Sequence, residues 1–194
     1  MGKIYCIMGK SSSGKDTIFK ILLGRKDVNL KTIVSYTTRP IRSLEKPGDE
    51  YNFVTIEEKD RLLAEGKVIE IREYNTVHGP WFYFTVDDGS VDLANNDYLI
   101  IGTVESFVKI RDYYGEDKVL PIYIEVDDGI RLSRALERER SQEHPKYEEM
   151  CRRFLADQKD FSEENLKKAG ITNVFDNNND SVITSDNIAA FINK

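Results

Sequence analysis

Residues Met8 to Thr17, MGKSSSGKDT, hold the residue types and spacing for binding a nucleotide phosphate. Gly9 and Gly14 frame a loop of Lys10, Ser11, Ser12 and Ser13, and Lys15 follows at once. In such a loop the backbone amides of Ser11 to Lys15 converge on a β-phosphate, and the next helix adds its positive end. The glycines permit the tight path and the close approach. Lys15 brings a mobile positive charge to the β and γ oxygens, and Thr17 is placed to donate on the α-phosphate side. Asp16 stands where this motif carries a serine or threonine for Mg²⁺. A carboxylate there ligates Mg²⁺ directly or through water, or serves only as an acid favourable to a helix start; without metal it repels a triphosphate.

A second chemical cluster follows in SYTTRPIR, Ser35–Arg42, and GDEYNFV, Gly48–Val54. Arg39 and Arg42, with Tyr51 close behind, suit a phosphate clamp of planar guanidinium forks and a phenol. Further basic residues crowd 131–140 (Arg131, Arg134, Arg138, Arg140), and Arg152 and Arg153 follow. Taken singly, each also reads as part of a solvated helix face.

These residues need elements to hold them. The run KIYCIM, Lys3–Met8, reads as a buried strand, and Ile18, Ile21 and Leu22 recur at helical spacing from Lys15 to Gly24. Strand, loop and helix is the order a phosphate loop requires. Strand patterns recur at Lys31–Val34, Val68–Glu73, Trp81–Val86, Tyr98–Ile101, Val119–Val126 and Asn173–Asp176. Helical patterns occupy Ile56–Glu65, Val104–Tyr113, Ile130–Arg140, Tyr147–Ala169 and Thr184–Ile192. The alternation predicts an α/β fold, a parallel sheet covered on both faces. Residues 35–86, rich in aromatics and punctuated by Pro40, Pro47, Gly48, Gly79 and Pro80, predict a small, more antiparallel lobe inserted in that core. The charged segment 137–146 reads as a flap or equally as an interhelical loop. The core is then 1–34, 87–136 and 147–194.

A 194-residue chain with 40% hydrophobic and 32% charged residues is expected to form one globular domain. No apolar run approaches a membrane span, and the first strand is too brief for a signal peptide; a cytoplasmic protein is expected. The net charge of −6 argues against binding to nucleic acid or an anionic membrane. Cys6 and Cys151 read as structural thiols, and His78 and His144 as ordinary loop residues.

The phosphate loop, S-x-T-T-R-x-x-R at 35–42 and G-x-x-Y-x-F at 48–53, in order along the chain, resemble the guanylate kinase family. The resemblance implies a P-loop fold with a small inserted mixed β lobe for the monophosphate and a lid. It implies that Arg39, Arg42 and Tyr51 hold the GMP phosphate, and that Glu70 reads guanine with Ser35 as hydroxyl partner. A carboxylate accepts guanine's N1–H and amino group together, which adenine does not offer on that edge. Tyr83 and Thr85 resemble the family's Tyr-Gly-Ser/Thr, with Phe84 in place of glycine, and Tyr83 would touch the acceptor phosphate. Arg134 and Arg138 resemble donor-side arginines, Arg153 an arginine that reaches the transferring phosphate, and Asn177 an asparagine near the donor base.

After the strand at 98–101 the family carries Asp-x-Asp, and here Ile101 and Thr103 occupy those positions. Thr103 can still hydrogen-bond a base but carries no charge. Asp16 is then the candidate metal ligand, a carboxylate restored beside the metal. The resemblance implies Mg²⁺-dependent phosphoryl transfer from ATP to GMP or dGMP. Two alternatives stand beside it: a kinase for another nucleoside monophosphate, and a catalytically silent interaction module of the same shape.

Overall fold

The computed structural model describes residues 1–42, 45–76 and 79–194. His78 lies outside the described residues. Strand β1 (Ile4–Met8) is buried along its whole length, as expected of a strand covered on both faces. It leads through the phosphate loop into α1 (Lys15–Gly24), then β2 (Leu30–Thr32). After the inserted lobe the core resumes with β7 (Asp97–Ile101), α3 (Val104–Tyr114), β8 (Val119–Glu125), α4 (Asp128–Arg140) and α5 (Tyr147–Asp160). It ends with α6 (Glu163–Lys168), β9 (Val174–Asp176) and α7 (Ser181–Ile192). The core sheet has the order β2-β7-β1-β8-β9, every pair parallel.

Alternation along β1 divides the core. Ile4, Cys6 and Met8 join Ile100 and the α3 residues Phe107 and Ile110 on one side. Tyr5 and Ile7 join Leu99, Ile18 and Leu22 of α1, and Ile188 of α7 on the other. Each such aliphatic side chain contributes about 1.5–3 kcal/mol by leaving water. Burial pushes the Cys6 thiol up to about 12, so it packs as a small apolar group. Cys151 is exposed on α5 and takes no part in this packing, unlike the structural thiol expected.

The lobe is a second sheet of order β4-β3-β6-β5, built from β3 (Tyr36–Thr37), β4 (Asn52–Phe53), β5 (Val68–Thr76) and β6 (Gly79–Val86). Helix α2 (Ile56–Ala64) starts at Thr55, whose side chain accepts from the Glu58 amide. The β5–β6 hairpin is longer than its sequence pattern predicts: Gly79 and Pro80 pair with Thr76 and Asn75 as the first rungs of β6 instead of making a turn.

The single helix predicted over 147–169 is two. Phe161 turns inward to stack on Tyr123, ring centroids 5.7 Å apart. Ser162 then caps a new helix, its hydroxyl accepting from the Asn165 amide, while Asn165 Nδ2 donates to the Lys159 carbonyl at 2.9 Å. Residues 141–146, between α4 and α5, are all exposed and include His144.

Candidate active site

The phosphate loop leaves the carboxyl end of β1, where open α/β sheets bind ligands. Its path admits few side chains. A Cβ on Gly9 would lie 2.7 Å from Ser13 Oγ and 2.8 Å from the Ile124 carbonyl oxygen. Gly14 has φ 84° and Ser12 φ 62°, a left-handed value uncommon outside glycine. The hydroxyls of Ser12 and Ser13 are buried without a partner among the described residues.

Residues from the last third of the chain brace this loop. The Ser11 amide donates to Asp157 Oδ2 at 2.7 Å, and Arg131 Nη1 donates to the Ser11 carbonyl at 2.9 Å. Arg131 is 1% exposed. It also pairs with Asp128 at 2.7 Å and lies with its Cζ 4.6 Å from the Phe154 ring centre. Asn177 Nδ2 donates to the Ser13 carbonyl at 2.7 Å. Lys10 Nζ is held by Gln158 at 2.8 Å, and Gln158 in turn by Asp128. Lys15 differs: among the described residues its one ion pair is with Asp16, at 3.6 Å, and the Asp16 carboxylate is exposed.

Three residues expected on the donor side have intramolecular partners in this geometry. Ser11 gives its amide to Asp157. Asn177, expected near a base, is a buried strut of the loop. Arg134 spends Nη2 on the carbonyls of Asn177 and Asn178, at 3.0 and 3.1 Å. Arg138 and Arg153 both border a cavity of about 30 Å³, with Ser11, Glu149 and Phe154. Arg153 Nη2 reaches Ser11 Oγ at 3.2 Å. Thr17 is exposed on the first turn of α1.

On the lobe, Arg39 is buried and forms a two-bond fork with Glu45, at 2.7 and 2.5 Å. That fork holds the Glu45 carboxyl down at about 2. The guanidinium also lies over the rings of Tyr51 and Phe53, 5.1 and 5.3 Å from their centres. The Tyr83 ring stands edge-on between Tyr51 and Tyr74, 5.5 Å from each. Arg42 is exposed, and its backbone amide donates to Glu45 at 2.9 Å. Ser35 is nearly buried beside β3, and its carbonyl accepts from the Asn52 amide.

Tyr51 is a lobe residue on which charges from both the lobe and the phosphate loop act. Burial pushes the Tyr51 phenol up and Tyr83 adds to the push. Arg39 and Arg72 pull it down, and the charge of Asp16 pushes it up again.

Farther along the lobe, Glu70 is 2% exposed. Its carboxylate accepts from Thr85 Oγ1 at 2.8 Å and from Arg72 Nε and Nη2 at 3.0 and 3.3 Å. Burial opposes the Arg72 charge, but Glu70, Tyr74 and Tyr51 together outweigh it and the guanidinium is held protonated. Thr103, expected at the base, forms a capping box with Ser106 at the start of α3. Ile101 ends β7 opposite Ile7 of β1.

The guanylate kinase family profile matches residues 1–82. The guanylate kinase of Malacoplasma penetrans is 32% identical over 139 residues, 71% of this chain and 58% of that protein. That of Thermotoga maritima is 34% identical over 124 residues, 64% of this chain and 49% of that protein. The crystal structure of guanylate kinase from Anaplasma phagocytophilum superposes with a TM-score of 0.67 at 25% identity, covering 99% of this chain and 85% of that one. In sequence over its first part and in fold over nearly its whole length, the chain is similar to guanylate kinases. It spans about half the length of the curated guanylate kinases it matches. Against that family background, Arg72, Glu45, Asp157 and Arg131 were not assigned roles from sequence. Arg131 showed only as one member of a basic helix, and the other three lie outside every motif.

Proposed function

We propose that this guanylate kinase relative transfers the γ-phosphoryl group of ATP to GMP or dGMP in the cytoplasm, using Mg²⁺. The observation that carries this reading is a phosphate loop braced by Arg131, Asp157 and Asn177, with Lys15 held at 3.6 Å from Asp16, in one chain with an arginine- and tyrosine-lined lobe. Such transfer needs positioning and charge neutralisation more than covalent chemistry. Lys15, Arg138 and Arg153 act on the donor phosphates, and Arg134 acts through the Asn177 segment that props the loop. Arg39, Arg42, Tyr51 and Tyr83 hold the acceptor phosphate, and Arg39 exchanges Glu45 for the incoming oxygens. Closure of the α4–α5 corner over the loop excludes water.

Among the described residues no group of three or more His, Cys, Asp or Glu side chains forms a metal cage. One exposed carboxylate at the loop suits Mg²⁺ all the same, because that ion keeps several waters and takes its remaining ligands from substrate phosphates. Asp16 is that carboxylate, and bound Mg²⁺ supplies neutralisation of the β and γ oxygens.

Turnover measured with GMP, dGMP, AMP, CMP, UMP and dTMP, with and without Mg²⁺, tests the reading, and GMP is expected among the best acceptors. Lys15→Ala should lower turnover by about 10²–10³-fold, the usual effect of one electrostatic donor. No turnover with any monophosphate, together with unchanged ATP affinity in Lys15→Ala, would favour the silent module instead.

A further inference from the structure

Glu70 is the carboxylate expected to take guanine's two adjacent donors, yet it is already engaged. A carboxylate offers about four acceptor sites. Thr85 and Arg72 Nη2 both fall on Oε1, and Arg72 Nε falls on Oε2. Accepting N1–H and the amino group together requires one open site on each oxygen, and Oε1 has none until Thr85 or Arg72 Nη2 lets go. At a carboxylate 2% exposed, either loss takes a hydrogen-bond partner from a buried charge. No other acid replaces it from the end of β7, where Ile101 is apolar and Thr103 caps α3.

Arg72 carries what Glu70 lacks. Its guanidinium has five N–H groups in a fixed fork, and Glu70 takes two. Nη1 donates to nothing among the described residues, although the side chain is only 15% exposed. The free pair on Nη1 and Nη2 matches a base edge with two adjacent acceptors, and guanine presents one in O6 and N7.

We propose that Arg72 is a specificity-determining residue and that the Glu70–Arg72 pair reads the acceptor base through O6 and N7, not through its amino group. The assignment rests on the monophosphate-kinase reading above.

Calorimetric titration of the wild-type chain with GMP, inosine monophosphate and 7-deaza-GMP tests it directly. Inosine monophosphate, which lacks only the amino group, should bind within about threefold of GMP, and 7-deaza-GMP should bind at least about tenfold more weakly. Arg72→Met frees Glu70 and should reverse that order, with circular dichroism reporting whether the variant folds. Wild-type affinity for 7-deaza-GMP equal to that for GMP, with a tenfold loss for inosine monophosphate, overturns the proposal. Turnover assays on the same three compounds separate the two readings. The expected binding order without phosphoryl transfer removes the kinase and keeps the base assignment, and turnover with the opposite order does the reverse.

Discussion

Gly14→Ala tests whether the phosphate loop is held from outside. Two costs meet at this position. At φ 84° alanine occupies the left-handed region, which costs roughly 1–2 kcal/mol. Its Cβ would also stand 2.5 Å from Asn177 Nδ2. Asn177 is 1% exposed and has little room to retreat. The same amide donates to the Ser13 carbonyl at 2.7 Å, and Thr184 donates to its Oδ1 at 3.1 Å. Displacing it leaves a buried polar group unpaired, about 1–3 kcal/mol. The sum is a loss of about 2–5 kcal/mol, read as a fall in the urea midpoint with unchanged slope. Gly66→Ala is the matched control, since Gly66 has φ 69° and nothing within 4 Å of its Cβ. It should lose only the backbone cost, roughly 1–2 kcal/mol. ATP binding should weaken in Gly14→Ala and stay unchanged in Gly66→Ala. Equal destabilisation in the two variants would refute the reasoning, because Asn177 would then be yielding freely and would not be a strut.

Two further outcomes follow from charged groups of the site. Asp16→Asn should raise the Mg²⁺ concentration needed for half-maximal turnover and lower turnover, with GMP affinity nearly intact; an unchanged metal titration would reduce Asp16 to a helix-start acid. Glu45 is held at about 2, below the ordinary carboxyl value of 4.5, so it stabilises the fold above about pH 4.5 and loses that contribution as pH falls toward 2. The thermal midpoint should therefore drop less between pH 5 and pH 2.5 in Glu45→Gln than in wild type, and parallel curves would show that the Arg39 fork contributes nothing.

Strong periodicity made the core legible. The buried run of β1, the helical spacing of α1 and the alternation downstream each report burial along a continuous stretch, and the parallel sheet follows from them. The two-residue strands β3 and β4 carry no such signal, being too short to show a period. The break at Phe161–Ser162 was hidden because an apolar residue beside a serine fits a helix pattern equally well. At the site, residue types announced Lys15, Arg39 and Tyr51, whose chemistry is local to a motif. They did not announce Asp157, Asn177 or Arg72 in the roles they take. Those roles depend on which carbonyl, amide or carboxylate a distant segment brings within 3 Å, and spacing along a chain does not encode that.

The struts of the phosphate loop also set when that loop can exist. Strand β1 is made before its sheet neighbours β7 and β8, which begin at Asp97 and Val119. The groups that fix Ser11 and Ser13 come later still, at Arg131, Asp157 and Asn177. During synthesis, then, the motif emerges before the groups that hold it and gains its shape only once residues 131–177 have followed. A nascent fragment ending before Asn177 would carry every letter of the motif, and the whole lobe at 35–86, and still lack the last of the groups that fix the loop.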